Sequence, residues 1–240
     1  MIVNLQKIIK KIKFNVIKPI KKKKNGPREK LSSILKTTHI LIEKSNSNDV
    51  RKTPVYSLIC ALTNYHLYDI VRELYENEEV TTVHELYKDI GRYITHNQLL
   101  DNTKSFEIGE SNIYVDLKRD AVLLCAWNKE RFLRALYNIG NIVGNKFQYD
   151  KLNHFSVYIY PIGLTIIYNG NHSALSGILK GEGSIYPNET YDLTPTYDYM
   201  YFDGVYFKKQ SDHSILHKVS RFELGALYEI GRLLAENGIK

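Results

Sequence analysis

Apolar positions along the chain recur first at a helical and then at a strand-like spacing, and this change of period divides it. Ile2, Leu5, Ile9, Ile12 and Val16 alternate at intervals of three and four, with Lys7, Lys10, Lys11 and Lys13 mostly on other faces. That spacing predicts a basic amphipathic helix over residues 2–17. Pro19 ends it, and Lys21-Lys22-Lys23-Lys24-Asn25-Gly26-Pro27 reads as a solvated linker. Helical periods continue near 31–44, 54–76 and 81–95. Thr53 stands as an N-cap before Pro54, and Leu58, Leu62, Tyr65 and Val71 mark a core face.

After Asn97 the pattern shortens to strands at 113–117, 122–124, 156–160 and 164–168. A helix is predicted over 129–142, with Phe132, Leu133, Leu136 and Ile139 on one face. Asp203-Gly204 between Phe202 and Val205 predicts a hairpin turn. A last helix spans 221–236, with Ser220 and Glu223 at capping-box spacing and Gly238 just beyond its end. The expected fold is mixed α/β of the α+β kind, a helical layer packed on a mixed sheet and closed by a C-terminal helix. Residues 1–30 form a tail and linker. Residues 31–240 form one domain, with a helical part at 31–97, a core at 111–182 and a C-terminal part at 183–240.

Charge is distributed unevenly. Residues 1–30 carry eleven Lys or Arg against Glu29, while the remaining 210 residues hold 22 basic and 25 acidic side chains. Attraction to phosphate or to an anionic membrane therefore belongs to the tail. The tail reads either as a device for peripheral attachment to anionic lipid or nucleic acid through residues 1–24, or as a solubilising charge run. Cys60 and Cys125 form no CxxC pair and lie near no His at metal-ligand spacing, so both read as reduced, buried thiols. No apolar run approaches the roughly 18 residues that span a bilayer, and lysines interrupt the N-terminal apolar positions, which together predict a cytoplasmic location, peripheral at the membrane if the tail binds lipid.

The segment with the clearest chemical content runs from Leu164 to Leu179: an apolar β-branched strand, the turn Asn169-Gly170-Asn171, then a helix from about Ser173. The first amides of a helix lack internal partners and sit at the positive end of its dipole, so such a turn accepts an anion. Gly170 allows positive φ, His172 stands at the mouth as a phosphate donor or proton carrier, and Ser173 is either a further donor or an N-cap. Asp150 and His154, just upstream, could pair as carboxylate and imidazole or join His172 at a metal, though Asp150-Lys151-Leu152-Asn153-His154 also reads as a polar loop. Glu182, Asp192, Asp198 and Asp203 supply carboxylates downstream without the spacing of a metal-dependent nuclease. Asp212, His213 and His217 place two His at i, i+4, but that segment reads equally as strand or loop, and no metal site is assigned.

Val115-Asp116-Leu117, Trp127-Asn128-Lys129-Glu130-Arg131, then Pro161-Ile162, a strand and Gly170-Asn171-His172-Ser173 follow one another in an order that resembles the ParB/sulfiredoxin-like superfamily over residues 111–182. The resemblance implies a ParB/sulfiredoxin-like mixed sheet whose Gly170–His172 turn binds nucleotide phosphates. Two positions depart from it. Ser173 stands where the superfamily has a phosphate-contacting Arg, and a hydroxyl does not replace a bidentate guanidinium. Asn171 stands where sulfiredoxins carry their catalytic Cys, which excludes that chemistry. Arg131 or Arg134 is then the nearest source of the missing cation. The whole chain also resembles an uncharacterised bacterial family with the Gly-Asn-His-Ser motif.

Two functions follow. One is a nucleotide- or phosphate-binding domain with Gly170, Asn171, His172, Ser173 and Arg131 on the phosphate; in its enzymatic version, phosphotransfer or phosphohydrolysis, His172, His154 and Asp150 are the catalytic groups and Mg²⁺ accompanies the nucleotide. The other is a non-enzymatic adaptor targeted by its tail. Convergence of His172, His154 and a carboxylate in one pocket separates them. Deleting residues 1–28 is expected to leave a folded body and to abolish most salt-sensitive binding to DNA or anionic vesicles. Equal low-salt DNA binding by the truncated and full-length proteins in a mobility-shift titration would refute the charge argument.

Overall fold

The structure is a computed structural model, and it describes residues 25–78 and 112–240. The expected helices at 2–17 and 81–95 lie outside the described residues. Helix α1 (Pro27–Glu43) begins earlier than the apolar period suggests, because Pro27 takes the first helical position and Glu29 reaches back to the Gly26 amide. Arg28 then bonds Asp203 at 2.8 Å, so the start of α1 belongs to the folded body and the tail is cut most cleanly after residue 24.

Helix α2 (Val55–Glu76) follows a short 3₁₀ turn at Val50–Lys52. The Thr53 hydroxyl does not cap it but donates to the Val50 carbonyl at 2.7 Å. The buried stripe of α2 also differs from the expected one. Ile59, His66, Leu67, Ile70 and Leu74 face the core, whereas Leu58 and Leu62 are half-buried and Tyr65 is exposed. The helix contacts α1, the sheet and the C-terminal helix, so more than one apolar stripe was available and tertiary contact chose between them.

The central sheet has the order β2 (Val122–Leu124), β4 (Leu164–Ile167), β3 (Ser156–Tyr160), β6 (Glu189–Asp192). Strand β2 runs parallel to β4 in the register Val122–Thr165 to Leu124–Ile167. Strands β3 and β4 form a hairpin closed by Pro161-Ile162-Gly163, and β6 runs parallel to β3. Strands β2 and β4 are buried at every position, as the continuous apolar runs require of strands covered on both faces. A separate antiparallel pair joins β1 (Val115–Asp116) to β5 (Ser184–Ile185). Two helices, α3 (Lys129–Asn138) and α4 (Asn171–Lys180), pack on one another. Helix α3 stops before the expected Ile142 because Gly140 adopts φ 140°, after which Asn141–Val143 forms a 3₁₀ turn.

The C-terminal part is a meander of β7 (Met200–Phe202), β8 (Tyr206–Lys209) and β9 (Ile215–Lys218) against helix α5 (Phe222–Glu236). Asp203 in the β7–β8 turn accepts the Val205 and Tyr206 amides and pairs with Lys208 at 2.9 Å. The Ser220–Glu223 capping box does not form around the start of α5, whose N-cap is Arg221 with no side-chain cap. Arg221 instead bonds Asp69 and Glu73 of α2, fastening α5 to α2.

His66 sits beside that ion-pair cluster. It is 3% exposed, and neither ring nitrogen has a hydrogen-bond partner. Burial first, and then Arg221, pushes its pKa down from 6.5 to about 4. The folded protein therefore holds this imidazole neutral while the unfolded chain protonates it below about pH 6.5. Stability is full above that pH and falls as the pH drops toward 4, by an amount on the order of 3 kcal/mol for this one group. Urea unfolding at a series of pH values is expected to show that fall, and His66→Leu is expected to flatten part of it; an unchanged pH profile in the variant would refute the assignment.

Candidate functional site

Strands β2 and β4 are parallel, so the segments leaving their carboxyl ends emerge side by side. Each then turns into a helix: Cys125-Ala126-Trp127-Asn128 into α3, and Tyr168-Asn169-Gly170 into α4. Ligands of α/β sheets collect at such strand ends. Two hydrogen bonds tie the turns together. The Asn171 side-chain carbonyl accepts the Cys125 amide at 3.1 Å, and His172 Nε2 accepts the Asn128 amide at 3.3 Å. Farther along, the Ser176 hydroxyl donates to the Ala135 carbonyl at 3.2 Å and Lys180 Nζ to the Leu136 carbonyl at 2.6 Å, fixing α4 against the end of α3.

Between the two helix starts lies an open cleft of about 400 Å³. Its walls carry Trp127, Arg131 and Arg134 on one side and Asn153, Asn169 and residues 170–173 on the other. Gly170 caps α4 with φ 76°, the left-handed conformation that its sequence context demands. The Gly170 carbonyl accepts the Ala174 amide, whereas the amides of Asn171, His172 and Ser173 find no protein acceptor among the described residues. They are the donors a helix start leaves open. Arg131 lies over the Trp127 ring at 5.3 Å and pairs with no carboxylate among the described residues, while Arg134 bonds Glu130 at 2.8 Å.

His172 lines the cleft half-buried, edge-on to Trp127 at 5.9 Å. Burial and then Arg131 hold its pKa below the usual value. Because Nε2 accepts an amide, the neutral ring carries its proton on Nδ1, which is therefore the atom available as a donor. Asn171 is engaged differently from the expectation: its side-chain carbonyl is committed to the Cys125 amide, which leaves the backbone amide and the side-chain NH₂ as its donors.

His154 lies beneath the turn, 3% exposed, between Phe147 at 5.1 Å and Tyr149 at 5.9 Å. Its Nδ1 meets the Asp150 amide at 3.0 Å, and its Nε2 meets Ser173 Oγ at 2.8 Å. The Asp150 carbonyl already accepts two amides, those of Asn153 and His154, whereas the Asp150 amide has no other acceptor among the described residues. The proton thus sits on Nε2 and is donated to Ser173, whose hydroxyl passes its own to the Gly170 carbonyl at 2.9 Å. In this arrangement His154 has no lone pair to offer Ser173, and the pair braces the turn instead of forming a nucleophile and base.

The Asp150 carboxylate accepts the Leu152 amide at 2.9 Å, so the expected Asp150–His154 pair is a backbone contact and not a carboxylate–imidazole pair. Ser173 is not the N-cap either, since α4 already begins at Asn171. Among the described residues no Asp or Glu lines the cleft. Glu182 accepts the Asn141 and Phe147 amides, Asp192 accepts the Thr194 amide, and Asp203 is held by Arg28 and Lys208. His213 and His217 lie in a turn and a strand, not on one helix face, and no cluster of three His, Cys, Asp or Glu able to hold a metal occurs among the described residues. Of the groups expected to converge in the enzymatic version, His172 lines the cleft, whereas His154 lies buried beneath the turn and no carboxylate lines the cleft among the described residues.

Trp127, Asn153 and Asn169 were not anticipated as site residues. A signal for Trp127 existed: it is the chain's single Trp and directly precedes a helix start after an apolar strand.

The fold and cleft define an α+β protein in which two helix starts stand side by side at the ends of two parallel strands. The chain belongs to DUF6710, a family of unknown function whose model matches residues 16–240. No curated protein and no solved structure matches it. No helix among the described residues is long and apolar enough to cross a membrane.

A methyl group at position 170 would lie 2.5 Å from His154 Cδ2, on a backbone at φ 76°. Gly170→Ala is expected to destabilise the protein by about 2–3 kcal/mol, from left-handed strain plus overpacking. Adding His154→Ala removes the clash, so the double variant should lose less than the sum of the single losses in urea unfolding; strict additivity would contradict this packing.

Proposed function

We infer that the protein is a binding module for a phosphate-bearing ligand, held in the cleft between the starts of α3 and α4. The observation that carries the reading is the combination, among the described residues, of three amides at 171–173 without a protein acceptor and the Arg131 guanidinium without a carboxylate partner, both at one cleft. Amides at a helix start and a guanidinium are the donors that recognise phosphate oxygens. The resemblance to the ParB/sulfiredoxin-like superfamily supports the same turn as the phosphate site, with Arg131 supplying the cation that Ser173 does not. A cleft of about 400 Å³ is in the usual range for small ligands.

The proton arrangement of His154 and Ser173, which leaves the hydroxyl no base, favours binding over hydrolysis. Nucleotides, with and without Mg²⁺, are the first ligands to test. The basic tail adds a sequence-independent attraction to nucleic acid or anionic lipid.

Isothermal calorimetry with inorganic phosphate, glycerol 3-phosphate and nucleotides tests the reading. Arg131→Gln is expected to weaken binding by about 10- to 100-fold, the scale of one charge-assisted hydrogen bond. His172→Ala should weaken it less and leave the fold intact. Ser173→Arg restores the superfamily residue, but it also breaks the His154–Ser173–Gly170 chain of hydrogen bonds, so any gain in affinity should come with a loss of stability. Absence of binding to every phosphate compound, in wild type and in Ser173→Arg, would refute the proposed site.

A further inference from the structure

Two short apolar projections that the core does not use follow or precede cleft-lining residues in the chain. Ile142 and Val143 occupy the 3₁₀ turn after α3, 96% and 47% exposed, three and four residues beyond the cleft-lining Ile139. Leu152, 79% exposed, stands one residue before the cleft-lining Asn153. Neither projection is loosely held. Glu182 takes the amides of Asn141 and Phe147, a backbone pair of bonds joins Gly140 to Asn145, and the Asp150 carboxylate and carbonyl close the turn around Leu152. Exposed lysines accompany both, Lys146 beside the first and Lys151 beside the second. The acids nearby among the described residues are Glu130, which pairs with Arg134, Asp150, which is bonded to its own turn, and Glu182, whose carboxylate is taken up by the Asn141 and Phe147 amides.

Fixed, exposed apolar tips with neighbouring lysines, adjoining in the chain residues that line the cleft carrying Arg131, match the requirements of an anionic bilayer surface. The tips enter the headgroup and acyl boundary, lysines meet the surface charge, and a phosphate projecting from the bilayer reaches the helix start between them. The tail's charge, eleven basic residues against Glu29 in residues 1–30, has the same sign requirement.

We propose that the cleft engages the phosphate headgroup of an anionic phospholipid, with Ile142, Val143 and Leu152 seated in the membrane interface around it. This rests on the phosphate-binding reading of the cleft and narrows its ligand to a lipid.

The test uses the full chain and phosphatidylcholine vesicles with or without phosphatidic acid, at low salt and at high salt, where the contribution of the tail is screened. Wild type is expected to co-sediment with vesicles containing phosphatidic acid at both salt concentrations. Ile142→Ser/Leu152→Ser should weaken high-salt partitioning roughly tenfold or more, the order expected from withdrawing two apolar side chains. Its calorimetric binding of soluble glycerol 3-phosphate should stay unchanged, since both side chains lie outside the core. Arg131→Gln should weaken both. Equal partitioning of the double variant and wild type at high salt, or equal wild-type binding to vesicles lacking phosphatidic acid, would overturn the lipid proposal. Tight binding of glycerol 3-phosphate or a nucleotide without vesicle binding would overturn it too and leave the phosphate site standing, whereas loss of all phosphate binding would remove both.

Discussion

Parallel pairing of β2 with β4 governs the rest of the arrangement. Parallel strands cannot be joined by a tight turn, so the chain between them must cross over, and it does so through α3 and β3. Both strands consequently release their chains at the same end of the sheet, and each release becomes a helix start. Strands β2 and β4 are buried at every position, and Thr165 is the one residue of the two with a polar side chain. The polar chemistry is displaced to the two turns beyond them, where Asn171 and His172 accept amides from the neighbouring turn and lock the spacing.

The histidines show how one residue type takes three roles. His66, without partners in the core, costs stability when it must be charged. His154 receives an amide on one nitrogen and serves Ser173 with the other, so its ring acts as a spacer under Gly170, where even a methyl group would not fit. His172 uses Nε2 structurally and keeps Nδ1 for whatever enters the cleft. A Ser–His contact at 2.8 Å resembles catalytic machinery by distance, yet the direction of the protons decides against it.

Electrostatics follow the same division. Most of the arginines among the described residues are neutralised locally, as Arg221 is by Asp69 and Glu73, and Arg28 by Asp203. Arg131 is set over Trp127 instead of against an acid, and it depresses the pKa of His172 beside it. A body with a small net negative charge can thus present a local cationic site, which total charge would not reveal.

Much of the secondary structure was written locally. The strands at 122–124 and 156–160 coincide with the apolar runs, and the turn and helix at 169–180 follow from Gly170 and the period after it, because these signals depend on near neighbours. Helix ends are less legible: Gly140 ends α3 before the apolar face runs out, Thr53 donates to Val50 instead of capping α2, and the N-cap of α5 is Arg221, one residue beyond Ser220. The buried face of α2 was misjudged at Tyr65, because a helix contacting three neighbours has no single apolar stripe to read. The candidate site divides in the same way. Its Gly-Asn-His-Ser turn is visible in the residue order, but Trp127 and Arg131 reach it only because β2 and β4 run parallel. The commitment of Asp150 to its own loop and of Asn171 to Cys125 is likewise a tertiary fact. Local sequence determined where the chain turns and which amides are left open; only long-range strand pairing decided which side chains stand around them.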